Sequence, residues 1–344
     1  MPIKLALRFF LPYVAWSLLS ISTLYAAVLP EQIAIIVNTQ DSHSVETAKY
    51  YQKKRNIPPE NIIKVRFPVA DTMDRFLFSA IRKQIILLTP EHVQFYALAW
   101  TQPYRVTCMS ITSAMTFGFD RAFCAEGCAS TEHSDYFNAN TRTPFADFKI
   151  RPTMMLAGSD IQQVKNMIDR GVQSDATFPE GTAYLMSTSD TARNVRSRAY
   201  EAIMALLSDR IKIETIESDA LSNKEDVLFY FTGKAAVDDL ESNHYLPGAA
   251  ADHLTSSGGV LFGGGQMSVL KWLDAGATAS YGTVVEPCAF PQKFPNPGIV
   301  IERYTRGESL IEAYWKSVAW PGQGLFVGEP LAAPFFDKRN LDYQ

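Results

Sequence analysis

The sequence predicts an α/β protein, a mostly parallel sheet with helices on both faces. Three observations carry that prediction. The chain opens in a strand–helix–strand pattern, which implies a parallel pair joined by a right-handed crossover. Between residues 226 and 335 three short apolar runs each end in a glycine-marked turn and lead toward a helix. Those runs do not alternate with polar residues, so they suit strands covered on both faces.

Composition sets the frame. The chain has 344 residues, 47% hydrophobic and 20% charged, which is ordinary for a globular protein and long enough for one large domain or two modest ones. A net charge of -4 without long runs argues against nucleic acid or an anionic membrane surface as a partner. At the N-terminus Lys4 and Arg8 precede an apolar run from Phe9 to about Val28. Residues 1–28 therefore read as a signal peptide or an N-terminal membrane anchor of an exported protein, periplasmic or extracellular. The cleavage signal is weak, because Leu24 and Tyr25 occupy the minus-three positions relative to Ala26 and Ala27. If the segment is retained, it is the protein's contact with the membrane.

In chain order, 32–38 is the first strand, and Ser44 caps a helix over 45–55 that Pro58 and Pro59 stop. A strand at 62–67, a helix near 73–87 and a strand at 92–100 follow. From 106 to 150 the pattern gives way to small, polar, cysteine-bearing segments, the kind of long stretch that serves as a functional loop or lid. Order resumes with an apolar run at 151–157, a helix at 161–170, a strand at 181–187 and a helix at 192–208. That helix starts with Arg193, Arg196 and Arg198, poorly placed for its dipole. A solvated arginine face is the favoured reading; a nearby carboxylate or bound anion is the alternative. A strand at 211–216 leads into runs at 227–231, 259–262 and 277–281. A helix at 309–318, a strand at 324–328 and a Gly328-Glu329-Pro330 turn close the chain. No linker composition appears, so 29–344 reads as a single α/β domain, with two α/β halves meeting near 180 as the alternative.

Ligands of open α/β sheets gather beyond the carboxyl ends of the strands. Lys234, Gln266, Glu286 and Cys288 all follow such ends and so define one rim. Gly264 and Gly265, before Gln266, present amides that can approach an anion, although close backbone packing is the favoured role. Lys234, Gly264, Gly265, Gln266 and Glu286 are the candidate ligand-binding residues. Cys288 is the candidate nucleophile with His253 as its base, against a favoured reading in which Cys288 is disulfide-bonded or inert. The four cysteines fit an oxidising compartment, and a local disulfide among Cys108, Cys124 and Cys128 is favoured over a zinc site using Cys124, Cys128 and His133. No cofactor or metal is expected, and the chain lacks the HExxH, GxSxG, dinucleotide and EF-hand patterns.

Several segments resemble an uncharacterised family of exported bacterial proteins. They include Thr-Gly-Lys-Ala-Ala at 232–236, Leu-Pro-Gly at 246–248, Ala-Asp-His-Leu-Thr-Ser at 251–256, the run 271–288, Lys-Phe-Pro at 293–295 and 324–331, with 151–155, 169–171 and 190–196 upstream. The layout of strand, Thr-Gly, strand and closing Gly-Glu-Pro is similar, more distantly, to gingipain-type cysteine peptidases. That resemblance implies a caspase-like fold in the C-terminal half, with a catalytic His-Gly after one strand and a nucleophilic Cys after the next. Lys234 falls at the histidine position, and 263–266, without a cysteine, at the nucleophile position. The resemblance thus implies a noncatalytic caspase-like domain that binds a small ligand or protein partner, with a cysteine-dependent hydrolase using Cys288 as the alternative.

Overall fold

The computed structural model describes residues 27–125 and 127–337. The expected signal or anchor segment lies outside them except for Ala27 and Val28, both buried. No helix among the described residues is long and apolar enough to cross a membrane.

The core is a ten-stranded sheet made of two five-stranded parallel sets. The first set is β2 (Ile62–Val65), β1 (Ile33–Asn38), β4 (Phe95–Leu98), β7 (Thr153–Met155) and β13 (Gly324–Gly328), in that spatial order. The second is β12 (Ala279–Thr283), β11 (Tyr245–His253), β10 (Val227–Thr232), β8 (Thr182–Ser187) and β9 (Lys212–Glu217). The sets join where β13 runs antiparallel to β12, Tyr281 opposite Phe326. Strands of the two sets therefore point in opposite directions. The last strand returns to the first set, so the sets are not simply the two halves of the chain. A small sheet of β3 (Thr72–Met73), β5 (Arg105–Val106) and β6 (Met109–Ser110) stands apart.

Helices cover both faces. They are α1 (Ser42–Arg55), α2 (Arg75–Leu88), α3 (Ile111–Phe117), α4 (Pro144–Phe148), α5 (Ile161–Ser174), α6 (Tyr200–Leu207), α7 (Leu270–Ala275), α8 (Pro297–Thr305) and α9 (Leu310–Lys316). Adjacent residues of a strand face opposite ways. Phe229 meets Tyr304 of α8 at 6.0 Å between ring centroids, whereas Tyr230 meets Trp272 of α7 at 4.8 Å. The α7 and α8 layers are thus on opposite sides of β10. All six residues of β10 are buried, as its unbroken apolar run requires.

Three sequence expectations change here. The run 259–262 is a turn, and the strand that follows β10 is β11. Pro247, Gly248 and three alanines disguised it. The small residues are needed because β11 is central and covered on both sides: a Cβ on Gly248, whose φ is +89, would lie 2.8 Å from Ser174 Cβ. Second, 106–150 is partly ordered. Ser110, Thr112 and Ser113 of that stretch all donate hydroxyl hydrogen bonds to the Gly324 carbonyl, which fixes α3 beside β13. The predicted helix at 192–208 is a short 3-10 stretch, Asn194–Ala199, followed by α6.

Candidate functional site

The carboxyl ends of β8 to β12 bring the expected rim residues to one edge of the second set. Lys234, just after β10, donates to Asp219, just after β9, at 2.8 Å. The Ser189 hydroxyl and amide, after β8, reach the same carboxylate at 2.7 Å. Together the lysine and the serine hold the Asp219 carboxyl well below the usual carboxylate range. Gly233 lets β10 pass closely under this corner, since a Cβ there would sit 2.1 Å from the Arg193 carbonyl oxygen.

After β11 the chain turns through Thr255 and Ser257. Gln266 Oε1 accepts from the Thr255 hydroxyl, the Ser257 amide and the Ser257 hydroxyl at 2.8, 2.8 and 3.0 Å. Gly264 and Gly265 are exposed, and a Cβ on Gly265 would meet nothing within 4 Å. The close-packing reading of that pair does not hold; the tight glycine of this segment is Gly259, whose added Cβ would lie 2.5 Å from the Gly282 carbonyl oxygen. Glu286, exposed after β12, accepts from the Cys288 amide at 2.7 Å. Arg193 links the two corners, reaching Asp190 at 2.9 Å and Thr255 at 3.0 Å.

Cys288 is bonded to Cys128, and Cys108 to Cys124. All four cysteines of the chain are therefore oxidised. Cys288 has no thiolate to offer, which corrects its candidacy as a nucleophile. The zinc alternative likewise loses Cys124 and Cys128 as ligands. One disulfide is the expected local one; the other ties 106–150 to the end of β12. Lys293 reinforces that tie by donating to the Ala129 carbonyl at 2.8 Å, and burial draws its pKa down to about 8.

His253 is fully buried, and both ring nitrogens are engaged. Nδ1 accepts from the Trp272 indole at 2.9 Å, so Nε2 carries the proton and donates to the Met267 carbonyl at 3.0 Å. Burial lowers its pKa to about 4. A ring with no free lone pair is a packing group, so the Cys288–His253 dyad fails at both ends.

Asp252, its neighbour, was not singled out from the sequence. Its carboxylate is buried and lies 2.6 Å from Arg196 in an ion pair, with no well-aligned hydrogen bond on either oxygen. Burial raises its pKa to about 6 despite the arginine. Arg196 also donates to the Thr232 carbonyl at the end of β10 and to the Pro295 carbonyl. The arginine that sits badly at a helix start thus finds a carboxylate, and Arg193 another.

The strand that follows β10 ends at His253, and the turn after it carries Thr255 and Ser257, both held by Gln266.

No family model and no curated protein matches the chain. One solved structure, titled "Structure of Protease", covers 89% of this chain and 78% of its own, with 10% sequence identity and a TM-score of 0.43. No residue role is taken from it. The class this chain belongs to is α/β, with a large mostly parallel sheet between helical layers.

Proposed function

We propose that this is an exported, noncatalytic domain of caspase-like architecture that binds a small ligand or protein partner at the rim of β8 to β12. Lys234, Gly264, Gly265, Gln266 and Glu286 are the proposed contacts. One observation carries the reading: after β10, where a gingipain-type enzyme has its histidine, stands Lys234 ion-paired to Asp219, and after the next strand, β11, where such an enzyme has its cysteine, stand the Thr255 and Ser257 hydroxyls fixed by Gln266. Neither position has a free base beside it, since His253 is committed to Trp272 and Met267. Two disulfides support an oxidising, exported setting.

The exposed amides near Gly264 and Gly265 and the Lys234 ammonium favour an anionic or strongly polar group in the ligand. The test has two arms. Purified, oxidised protein is incubated with a fluorogenic peptide library and with serine- and cysteine-directed covalent probes; no turnover and no labelling are expected. Steady turnover that survives purification and disappears in a Thr255→Val or Ser257→Ala variant would sink the noncatalytic reading. In the second arm, carboxylates and acidic peptides are screened by thermal shift. A hit is expected to lose its shift in Lys234→Ala and Gln266→Ala, and a hit unaffected by both would place binding elsewhere.

A further inference from the structure

A second cleft lies in the first set of strands. β1 leads through α1 to β2 on one side, while β4 lies on the other side of β1, so the connections diverge between β1 and β4. Such a divergence opens a crevice beyond the strand ends, the usual ligand position in open α/β sheets. Here the crevice is present, with a volume of about 230 Å³. That is room for a small molecule, equal to roughly eight waters at about 30 Å³ each.

Its chemistry is specific. Trp100, after β4, lines the floor of the cleft; it is 2% exposed and spends its indole N–H on the Pro103 carbonyl, so the sliver it offers a ligand is apolar. Phe262, 40% exposed, reaches the cleft from the glycine-rich turn of the other set. Asp41 and Asp160 cap the starts of α1 and α5, and each uses a single oxygen, accepting from the His43 and Gln163 amides at 2.9 Å. Among the described residues the second oxygen of each accepts no hydrogen bond. Thr47 also lines the cleft; it is 2% exposed, and its hydroxyl makes no hydrogen bond among the described residues. Among the described residues the lining holds no lysine or arginine, and its one histidine, His43, is exposed at the start of α1.

The sign of the field follows from magnitudes. Two helix starts bring about half a positive charge each, against two full carboxylates, leaving a net of about one negative charge. A metal ion does not fit the donors, since no group of three or more His, Cys, Asp or Glu among the described residues is placed to hold one. We propose that this cleft binds a small organic cation, an alkylamine or alkylguanidine, with its apolar stem between Trp100 and Phe262 and its charged head on Asp41 and Asp160. Thr47 supplies the third polar contact. Ser159 joins this site to the other set through a hydrogen bond to Asp274.

The test is calorimetric titration of the full chain with n-pentylamine and agmatine, beside 1-pentanol and glutarate as neutral and anionic counterparts. The two cations are expected to bind, more weakly as salt is raised, and the counterparts to show no heat. Asp41→Asn and Asp160→Asn each remove a charge while keeping a good helix cap, so the melting temperature stays near wild type. Each is expected to weaken the amine about tenfold. Phe262→Ala, on an exposed turn, is expected to weaken it several-fold. Binding of pentanol equal to that of pentylamine, unchanged affinity in both asparagine variants, or no heat from either cation at millimolar concentration would overturn the proposal. None of these results bears on the rim of β8 to β12.

Discussion

Asp252 and His253 are consecutive on β11, face opposite sides of the sheet, and are both fully buried. Asp252 shares its face with Phe231 and points toward the α8 layer, while His253 hydrogen-bonds Trp272 on the α7 side. Burial disfavours the charged form of each, which moves their pKa values in opposite directions, to about 6 and about 4.

Their effects on stability oppose each other in one pH window. Asp252 binds its proton more tightly when folded, so its contribution is present below about pH 4 and is lost as pH rises to about 6. His253 binds its proton less tightly when folded, so its contribution is absent below about pH 4 and is gained as pH rises to about 6.5. Each amounts to about 3 kcal/mol across its window. Relative to wild type, Asp252→Asn is expected to add a rise in stability between pH 4 and 6.5, and His253→Gln a fall. Urea unfolding at four pH values reads the slopes. Curves for both variants that run parallel to wild type would show that neither group titrates this way.

The disulfides give a ranking that can be checked. Cys108–Cys124 closes 16 residues and Cys128–Cys288 closes 160. Chain-entropy arithmetic assigns them about 3 and about 5 kcal/mol. The paired variant Cys128→Ser with Cys288→Ser is therefore expected to lose more stability than the Cys108, Cys124 pair, by about 2 kcal/mol. Denaturant midpoints at equal m values decide it, and the reverse order refutes the ranking. Alkylation of native protein is expected to label no cysteine, and of reduced, unfolded protein all four.

The sheet was largely legible because β1, β8 and β10 are largely apolar runs bounded by turn residues, a signal that depends only on burial from both sides. β11 was not, because its strand character rests on packing: Gly248 is small to fit Ser174 and Tyr304, and it and the alanines that follow carry no periodic signal. Lys234 lies directly beyond β10, as expected, but its partner Asp219 comes from another connection that no local pattern links. Gln266, expected beyond a strand at 259–262, instead closes the long turn after β11 on Ser257. A solvated arginine face was the favoured reading of Arg196, yet the residue is buried against Asp252, a pairing that is a tertiary fact.

Arg196 and Asp252 hold the rim from beneath. The arginine joins the end of β10, through the Thr232 carbonyl, to β11 and to the Pro295 segment after β12. Both side chains are within 4% of complete burial, so water cannot replace either partner. Removing the cation alone leaves an unpaired buried carboxylate, and Arg196→Met is expected to cost about 3–5 kcal/mol at pH 7. The loss should shrink at pH 5, where Asp252 accepts a proton and the stranded charge disappears. Changing both, Arg196→Met with Asp252→Leu, removes the charge at every pH and is expected to recover at least half of the single-variant loss. The Pro295 carbonyl loses the Arg196 donor, while the Thr232 carbonyl keeps the Leu254 amide, and the lost bonds are why recovery is not complete. Chemical denaturation of wild type, both single variants and the double variant at pH 5 and pH 7 closes the cycle. A double variant as unstable as Arg196→Met, with no pH dependence in either, would mean that the arginine acts through its carbonyl contacts and not through Asp252.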